Sequence, residues 1–193
     1  MKPKSLETKN KIISIAFDLI QQQGYEGTTV EDIIKYSNIS VGTFYHYFKA
    51  KSDILQEAYE TLDRYFEEYV ADKLLTETSP TEQISVFFHH YALHTAAVGV
   101  DNVRSIYNTN NPMFTKKRQM EIILENIIKD GQIKGEILTK VTAEEIRRCF
   151  FILMRGLVWD WCNQGGNYDL EKDTDKFIKM QIRAFQFNSS KKV

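Results

Sequence analysis

The chain has 193 residues, and its 25 Lys and Arg stand against 26 Asp and Glu for a formal net charge of -1. Hydrophobic residues at 42% and charged residues at 26% are globular proportions and exclude wholesale disorder. The longest apolar run, Phe150 to Met154, ends at Arg155, far short of the roughly 20 apolar residues that cross a bilayer. Ser14 and Asp18 interrupt any leader-like stretch at the start, so a soluble cytoplasmic protein without a membrane partner is the expectation. Only 9 Gly and 3 Pro favour long uninterrupted helices over a loop-rich β fold.

The near-zero total hides an asymmetry. Residues 1–51 hold seven Lys and no Arg against five acidic residues, a net of +2, which leaves the remainder at -3. A small basic head on an acidic body points to a polyanion contact at the N-terminal end. Cys149 and Cys162 are 13 positions apart in what reads as one helix. Their Cα atoms would sit roughly 20 Å apart, beyond disulfide reach.

Periodicity is helical nearly everywhere. Ile13, Ala16, Phe17 and Ile20 form a stripe over about residues 7–23, closed by Gly24. Thr28 to Asp32 reads as a capping box, either Thr28 with Glu31 or, as a weaker version, Thr29 with Asp32. Val30, Ile33 and Ile34 face inward behind it. Ser40 caps a short helix carrying Val41, Phe44, Tyr45 and Phe48, and Ser52 caps a long one carrying Leu55, Leu62, Phe66 and Tyr69. Pro80-Thr81-Glu82 opens a helix with Ile84, Phe87, Phe88 and Tyr91, and Asn110-Asn111-Pro112 breaks the chain. A helix over about 115–130 follows. Thr142 to Glu145 caps a strong helix to about 163, and a last helix spans about 173–187. The predicted fold is all-α with about nine helices: an N-terminal three-helix head, residues 1–51, and a larger helical body, residues 52–193.

Helix, short turn, helix over residues 28–48 is the arrangement of a helix-turn-helix, whose second helix enters the major groove of DNA. With Phe44 and Phe48 turned to the core, that helix presents Val41, Gly42, Thr43, Tyr45, His46 and Tyr47 on its opposite side. Gly42 lets the backbone approach a duplex with no side chain between. Thr43 suits a base edge and Val41 a thymine methyl, while Tyr45, His46 and Lys51 suit phosphates. Thr28 or Thr29 adds a hydroxyl or backbone N–H at a helix N-terminus. An ordinary hairpin explains Phe44, Phe48 and Ile33 equally well. It does not explain Tyr45-His46-Tyr47, because three amphipathic rings in succession cannot all be buried on a two-turn helix.

Gly24-Tyr25, Thr28 to Ile33, Ile39 to Phe48 and Lys49 to Leu55 together resemble the N-terminal signature of the tetracycline-repressor (TetR/AcrR) family over roughly residues 8–56. The resemblance implies a three-helix DNA-binding head and a helical body that dimerises mainly through its last two helices and binds a small-molecule inducer. By the same resemblance Thr28, Gly42, Thr43, Tyr45, His46 and Lys51 correspond to DNA contacts; with Thr29, Ser40, Val41 and Tyr47 they make the candidate DNA-binding set. The implied function is a homodimeric transcriptional repressor released from a pseudo-palindromic operator by its ligand. One departure is that the recognition helix carries no Arg or Gln for bidentate reading of a base.

In the body, Phe87, Phe88, Tyr91, His94, Tyr107, Phe114, Arg155 and Trp159 are candidates for a ligand pocket, the competing reading being a well-filled core. Arg155, set between apolar turns, is otherwise expected to pair with Asp160 or a partner Glu. The helix over about 143–163 is apolar around more than one face, so Phe151, Met154 and Val158, with Phe177 and Phe185 of the last helix, are expected at a dimer interface. His90 and His94, with His89 beside them, have metal-ligand spacing, but no Glu follows His90 and no Cys is near. No cofactor or metal and no catalytic set is expected; Cys149 and Cys162 read as small core hydrophobes.

Overall fold

The computed structural model describes residues 3–76, 79–107 and 118–186. Ten α-helices lie among them: α1 (Pro3–Gln23), α2 (Val30–Ser37), α3 (Val41–Tyr47), α4 (Lys51–Tyr65), α5 (Ala71–Thr76), α6 (Pro80–Val98), α7 (Val100–Tyr107), α8 (Gln119–Ile133), α9 (Ala143–Asn163) and α10 (Leu170–Phe185). A π turn, Phe66–Val70, joins α4 to α5 without a break, so the described residues form nine continuous rods. The one β-type pairing among them is an isolated bridge between Ile137 and Gln186.

The chain divides into two compact units: residues 1–61 with 99–114, and residues 62–98 with 115–193. The first is built on α1, α2, α3 and the start of α4. Its core is Ile12, Ala16, Leu19, Ile33, Phe44, Phe48 and Ile54, with Val30, Ile34, Ile39 and Tyr47 half-buried against it. Ile12, Ala16 and Leu19 recur at the 3.6-residue period, which is why α1 presents one apolar stripe. α7 lies along α1, and the near-buried pair Lys9–Glu57, 2.5 Å, ties α1 to α4.

The second unit is centred on α6, which packs on both α8 and α10, while α9 packs on those same two helices. Its interior is a stack of rings. Phe66 meets Phe87 at 4.4 Å, Phe88 stacks on Phe150 at 5.5 Å, and Phe151 stands edge-on to Phe87, Phe88 and Tyr91. Such pairs add about 0.5–1.5 kcal/mol each beyond the area they bury.

The π turn has a cause in the sequence. Leu62, Phe66, Val70 and Leu74 are all buried and recur strictly every fourth residue. In a regular α-helix each such step overshoots a full turn by about 40°, so the stripe would wind off the core. The wider i→i+5 turn at Phe66–Val70 takes up the excess and keeps all four on one face.

Helix caps follow local chemistry. Thr142 and Glu145 form the expected capping box. The cap expected from Ser52 comes instead from Asp53, whose carboxylate accepts from Lys49 N at 2.7 Å and Ala50 N at 3.3 Å. The helix expected to run on from Pro80 stops at Val98, because Gly99 takes φ +88° and starts α7 afresh. α10 begins at Leu170 behind an Asp169 cap, three residues earlier than expected. Cys149 is exposed and Cys162 buried, both as free thiols. No described helix is long and apolar enough to cross a membrane.

Candidate nucleic-acid interface

The helix-turn-helix is assembled from two caps and a turn. Thr29, not Thr28, caps α2. Its Oγ1 accepts from Asp32 N at 3.1 Å, and Asp32 Oδ2 accepts from Thr29 N at 3.0 Å and Thr29 Oγ1 at 2.6 Å. Those hydrogen bonds, the hydroxyl's first, hold the Asp32 carboxyl below its ordinary range. α2 ends at Asn38, whose left-handed backbone (φ +52°) directs its N–H to Ile34 O and Lys35 O. Ser40 then caps α3: Thr43 N donates to Ser40 Oγ at 3.1 Å, and the two hydroxyls lie 2.8 Å apart.

Burial of Phe44 and Phe48 fixes the phase of α3. What remains outward is Ser40, Val41 (59% exposed), Gly42, Tyr45 (53%) and His46. A Cβ on Gly42 would meet nothing nearer than Ser40 Oγ at 3.9 Å. No internal packing therefore requires glycine here, and the bare backbone is left open to the outside. Thr43 is half-buried and bonded to Ser40. Tyr47 is half-buried too, its hydroxyl 3.0 Å from Ser5 Oγ of α1, with His46 edge-on to its ring.

Two candidates are placed otherwise than expected. Thr28 is fully buried and its Oγ1 donates to Gly24 O at 2.8 Å, closing the α1–α2 elbow. Lys51 Nζ likewise turns inward, to Tyr25 O at 2.5 Å and Thr28 O at 2.6 Å, with the Tyr25 ring 3.9 Å away.

An exposed aromatic and hydroxyl face with a bare glycine, on a second helix held by its own caps, is the arrangement with which a helix-turn-helix meets a duplex. The sequence profile described as "Bacterial regulatory proteins, tetR family" matches residues 12–58, the span that builds this face. Over those residues the chain carries a TetR-family head, and it is similar to DNA-binding transcriptional regulators of that family. It is 25% identical over 179 residues to the fatty acid metabolism regulator protein of Bacillus subtilis (strain 168), covering 89% of this chain and 92% of that one. It is 21% identical to the regulator AcrR of Shigella flexneri, over 95% and 92% of the two chains. Among solved structures, FadR from Bacillus subtilis in complex with stearoyl-CoA superposes with a TM-score of 0.74, at 22% identity over 89% and 96% of the chains. FadR from Thermus thermophilus in complex with lauroyl-CoA gives 0.73, at 20% identity over 96% and 98%. TetR-family regulators typically act as homodimers that bind operator DNA and small-molecule ligands.

The second unit of the chain holds the remaining candidates. Phe87, Phe88 and Tyr91 are buried in the ring stack. His94 is half-buried with the Tyr65 ring at 5.2 Å, and Tyr65 Oη lies 2.7 Å from His90 Nδ1. Burial, reinforced by the nearby cations Arg118 for His94 and Lys73 and His89 for His90, pulls both imidazoles below 6.5. Among the described residues no three His, Cys, Asp or Glu gather to hold a metal. Phe114 and the side chain of Tyr107 lie outside the described residues.

Arg155 meets the expectation of a partner Glu, on a neighbouring helix. Its Nη2 lies 3.4 Å from Glu121 Oε1 of α8, and its guanidinium is 5.7 Å from the Phe151 ring. Arg147 joins the same cluster through Glu121 and through Glu125 at 3.3 Å. Asp160 instead accepts from Tyr168 Oη at 3.2 Å. Arg118, itself buried, forks onto Asp63 with both contacts at 3.1 Å; sequence reasoning missed this pair, which no spacing rule links across 55 positions.

The interface candidates on α9 need re-phasing. Phe151, Met154 and Val158 fill the protomer's own core, together with Phe150, Trp161 and Cys162. Trp159, expected in the pocket, is 57% exposed, and Ile152, one heptad earlier, is 56% exposed. With Cys149 and Gly156 they form an outward stripe spaced by three and four residues. On α10, Met180 and Ala184 are exposed and Phe177 half-buried, while Phe185 leans on Phe150 at 5.8 Å. The period was legible; its phase was not, because α9 is apolar on both sides.

Proposed function

We propose that this chain is a cytoplasmic, non-enzymatic repressor that reads a pseudo-palindromic operator through Ser40, Val41, Gly42, Tyr45 and His46 and leaves it when a long-chain acyl thioester enters the body. In this reading residues 1–51 are the DNA-binding domain and residues 52–193 the ligand and dimerisation domain. The observation that carries it is the outward face of α3, where Val41, Gly42, Tyr45 and His46 stand exposed. With no Arg or Gln on that face, base discrimination comes from hydroxyl and methyl contacts and from DNA shape.

The ligand class is supported by the fatty acid regulator and the two acyl-CoA-bound FadR structures, and by the ring-lined interior of α6 and α9, which suits an alkyl chain. Dimerisation through the stripe of Ile152, Gly156 and Trp159 on α9 with Met180 and Ala184 on α10 is self-complementary about a two-fold axis. To release DNA the thioester must bind the low-affinity state more tightly, and about 1–3 kcal/mol of coupling suffices for a 5–150-fold loss of affinity.

The test is a gel shift on the duplex upstream of the gene itself, titrated with stearoyl-CoA and, in parallel, with free CoA. Release by the thioester alone is the expected result. A specific complex that neither compound disturbs rules out the ligand class; absence of any specific complex rules out the regulator reading.

A further inference from the structure

We propose that Lys51 is a positioning residue: its ammonium pins the first turn of α4 to the α1–α2 elbow, thereby fixing where α2 begins, and it makes no phosphate contact. The inference rests on the DNA-reading role of the head and departs from the phosphate contact that the family resemblance implies for this position.

The argument is one of valence and place. An ammonium has three N–H donors. Two are taken by Tyr25 O at 2.5 Å and Thr28 O at 2.6 Å, and the Tyr25 ring covers the group at 3.9 Å. Burial pulls this ammonium below the ordinary lysine range, with Glu26 opposing, and it pushes the Tyr25 phenol up. A cation at the first position of α4 faces the positive end of that helix, an unfavourable place unless other groups compensate. The elbow supplies them: two carbonyls and a ring face.

The pinned carbonyls belong to the residues on which α2 depends. Thr28 O is one peptide before the Thr29 cap, and Tyr25 O also accepts from Thr28 N at 3.2 Å. Thr28 Oγ1 closes the same elbow through Gly24 O. A lysine drawn out to a phosphate would abandon all three contacts.

The experiment uses the full chain on a duplex of about 30 bp, long enough for two half-sites, and compares wild type with Lys51→Met, Lys51→Arg and Tyr25→Leu. Affinity is followed against salt, and backbone amide exchange is followed residue by residue. Both Lys51 variants are expected to lose affinity about fivefold or more with the slope of log K on log salt unchanged, because no phosphate contact is lost. Amides of Thr29 to Ile33 should exchange about tenfold faster while those of Ile12 to Leu19 keep their protection, marking a local loosening and not a failing head. Tyr25→Leu, which keeps the charge, should do the same to a lesser degree.

A Lys51→Met slope shallower by about 0.9, the signature of one lost phosphate contact, overturns the proposal. So does wild-type affinity in Lys51→Arg, since a guanidinium replaces an ammonium at a phosphate more readily than in a fitted two-carbonyl seat. If wild type binds no duplex at all, the DNA reading falls separately, and unchanged amide exchange in Lys51→Met still overturns the pin.

Discussion

Thr28 and Thr29 are consecutive, yet their hydroxyls serve opposite sides of the head. Thr28 donates inward to Gly24 O at 2.8 Å, fully buried, and Thr29 stands exposed, exchanging hydrogen bonds with Asp32 at the start of α2. Thr28→Val should therefore cost about 1 kcal/mol through the lost buried hydrogen bond, and Thr29→Ala about 1 kcal/mol through the lost cap. Urea unfolding measures both; a neutral Thr28→Val would show that its hydroxyl holds nothing.

The outward face of α3 should matter to DNA and not to folding. Tyr45→Ala and His46→Ala remove exposed side chains, so stability should stay within about 0.5 kcal/mol of wild type. Operator affinity should fall, and each lost phosphate contact should flatten the salt slope by about 1. Thermal unfolding and salt-dependent gel shifts on the same preparations separate the two effects. Wild-type affinity in both variants would remove the face from the account.

Opposite sides of α9 predict opposite phenotypes. Trp159→Glu places a charge on the exposed stripe and should convert the dimer to monomer with its helical dichroism retained. Met154→Ala empties a fully buried position and should cost about 2–5 kcal/mol without changing the mass. Sedimentation and denaturant unfolding read the two; an unchanged dimer in Trp159→Glu would place the interface elsewhere.

Acid should weaken the body through His90 and His94. Both imidazoles sit below their ordinary 6.5 because of burial, then neighbouring positive charge. At neutral pH both states are uncharged there and the effect is nil. As pH falls past 6.5 the unfolded chain takes up protons that the folded chain resists, so stability declines with acid. The capped carboxylates Asp32 and Glu145, held below 3.8 and 4.5, lose their contribution in a separate, more acidic window. The unfolding temperature should drop from about pH 7 to about pH 5, and His94→Gln should make that drop shallower. An identical pH profile in the variant would rule out a contribution from this imidazole.

What could be read in advance was whatever lies within a turn or two of itself along the chain. The Thr142–Glu145 box, the Ser40 cap and the inward Phe44 and Phe48 are local patterns, and they stand as expected. Where two local solutions compete, the choice is tertiary. Thr28 is as good a cap as Thr29 in isolation, but the elbow claims its hydroxyl. Asp53 outbids Ser52 because a carboxylate reaches two N–H groups at once. Lys51 reads as a phosphate contact, and nothing near Arg118 or Arg155 in sequence names Asp63 or Glu121 as its partner, until distant carbonyls and carboxylates are folded onto them. The residue types suited to touching a partner are therefore recognised in the sequence, but only the fold decides which of them are still placed to do so.

The widened turn at Phe66–Val70 carries one residue more than regular helix geometry would hold there. Shortening the chain by one position between Phe66 and Val70 would let hydrogen bonding revert to the ordinary ladder with no chain break. The loop-free rod from Lys51 to Thr76 is in this sense a place where a length change can be absorbed inside a helix, an allowance that surface connections normally provide.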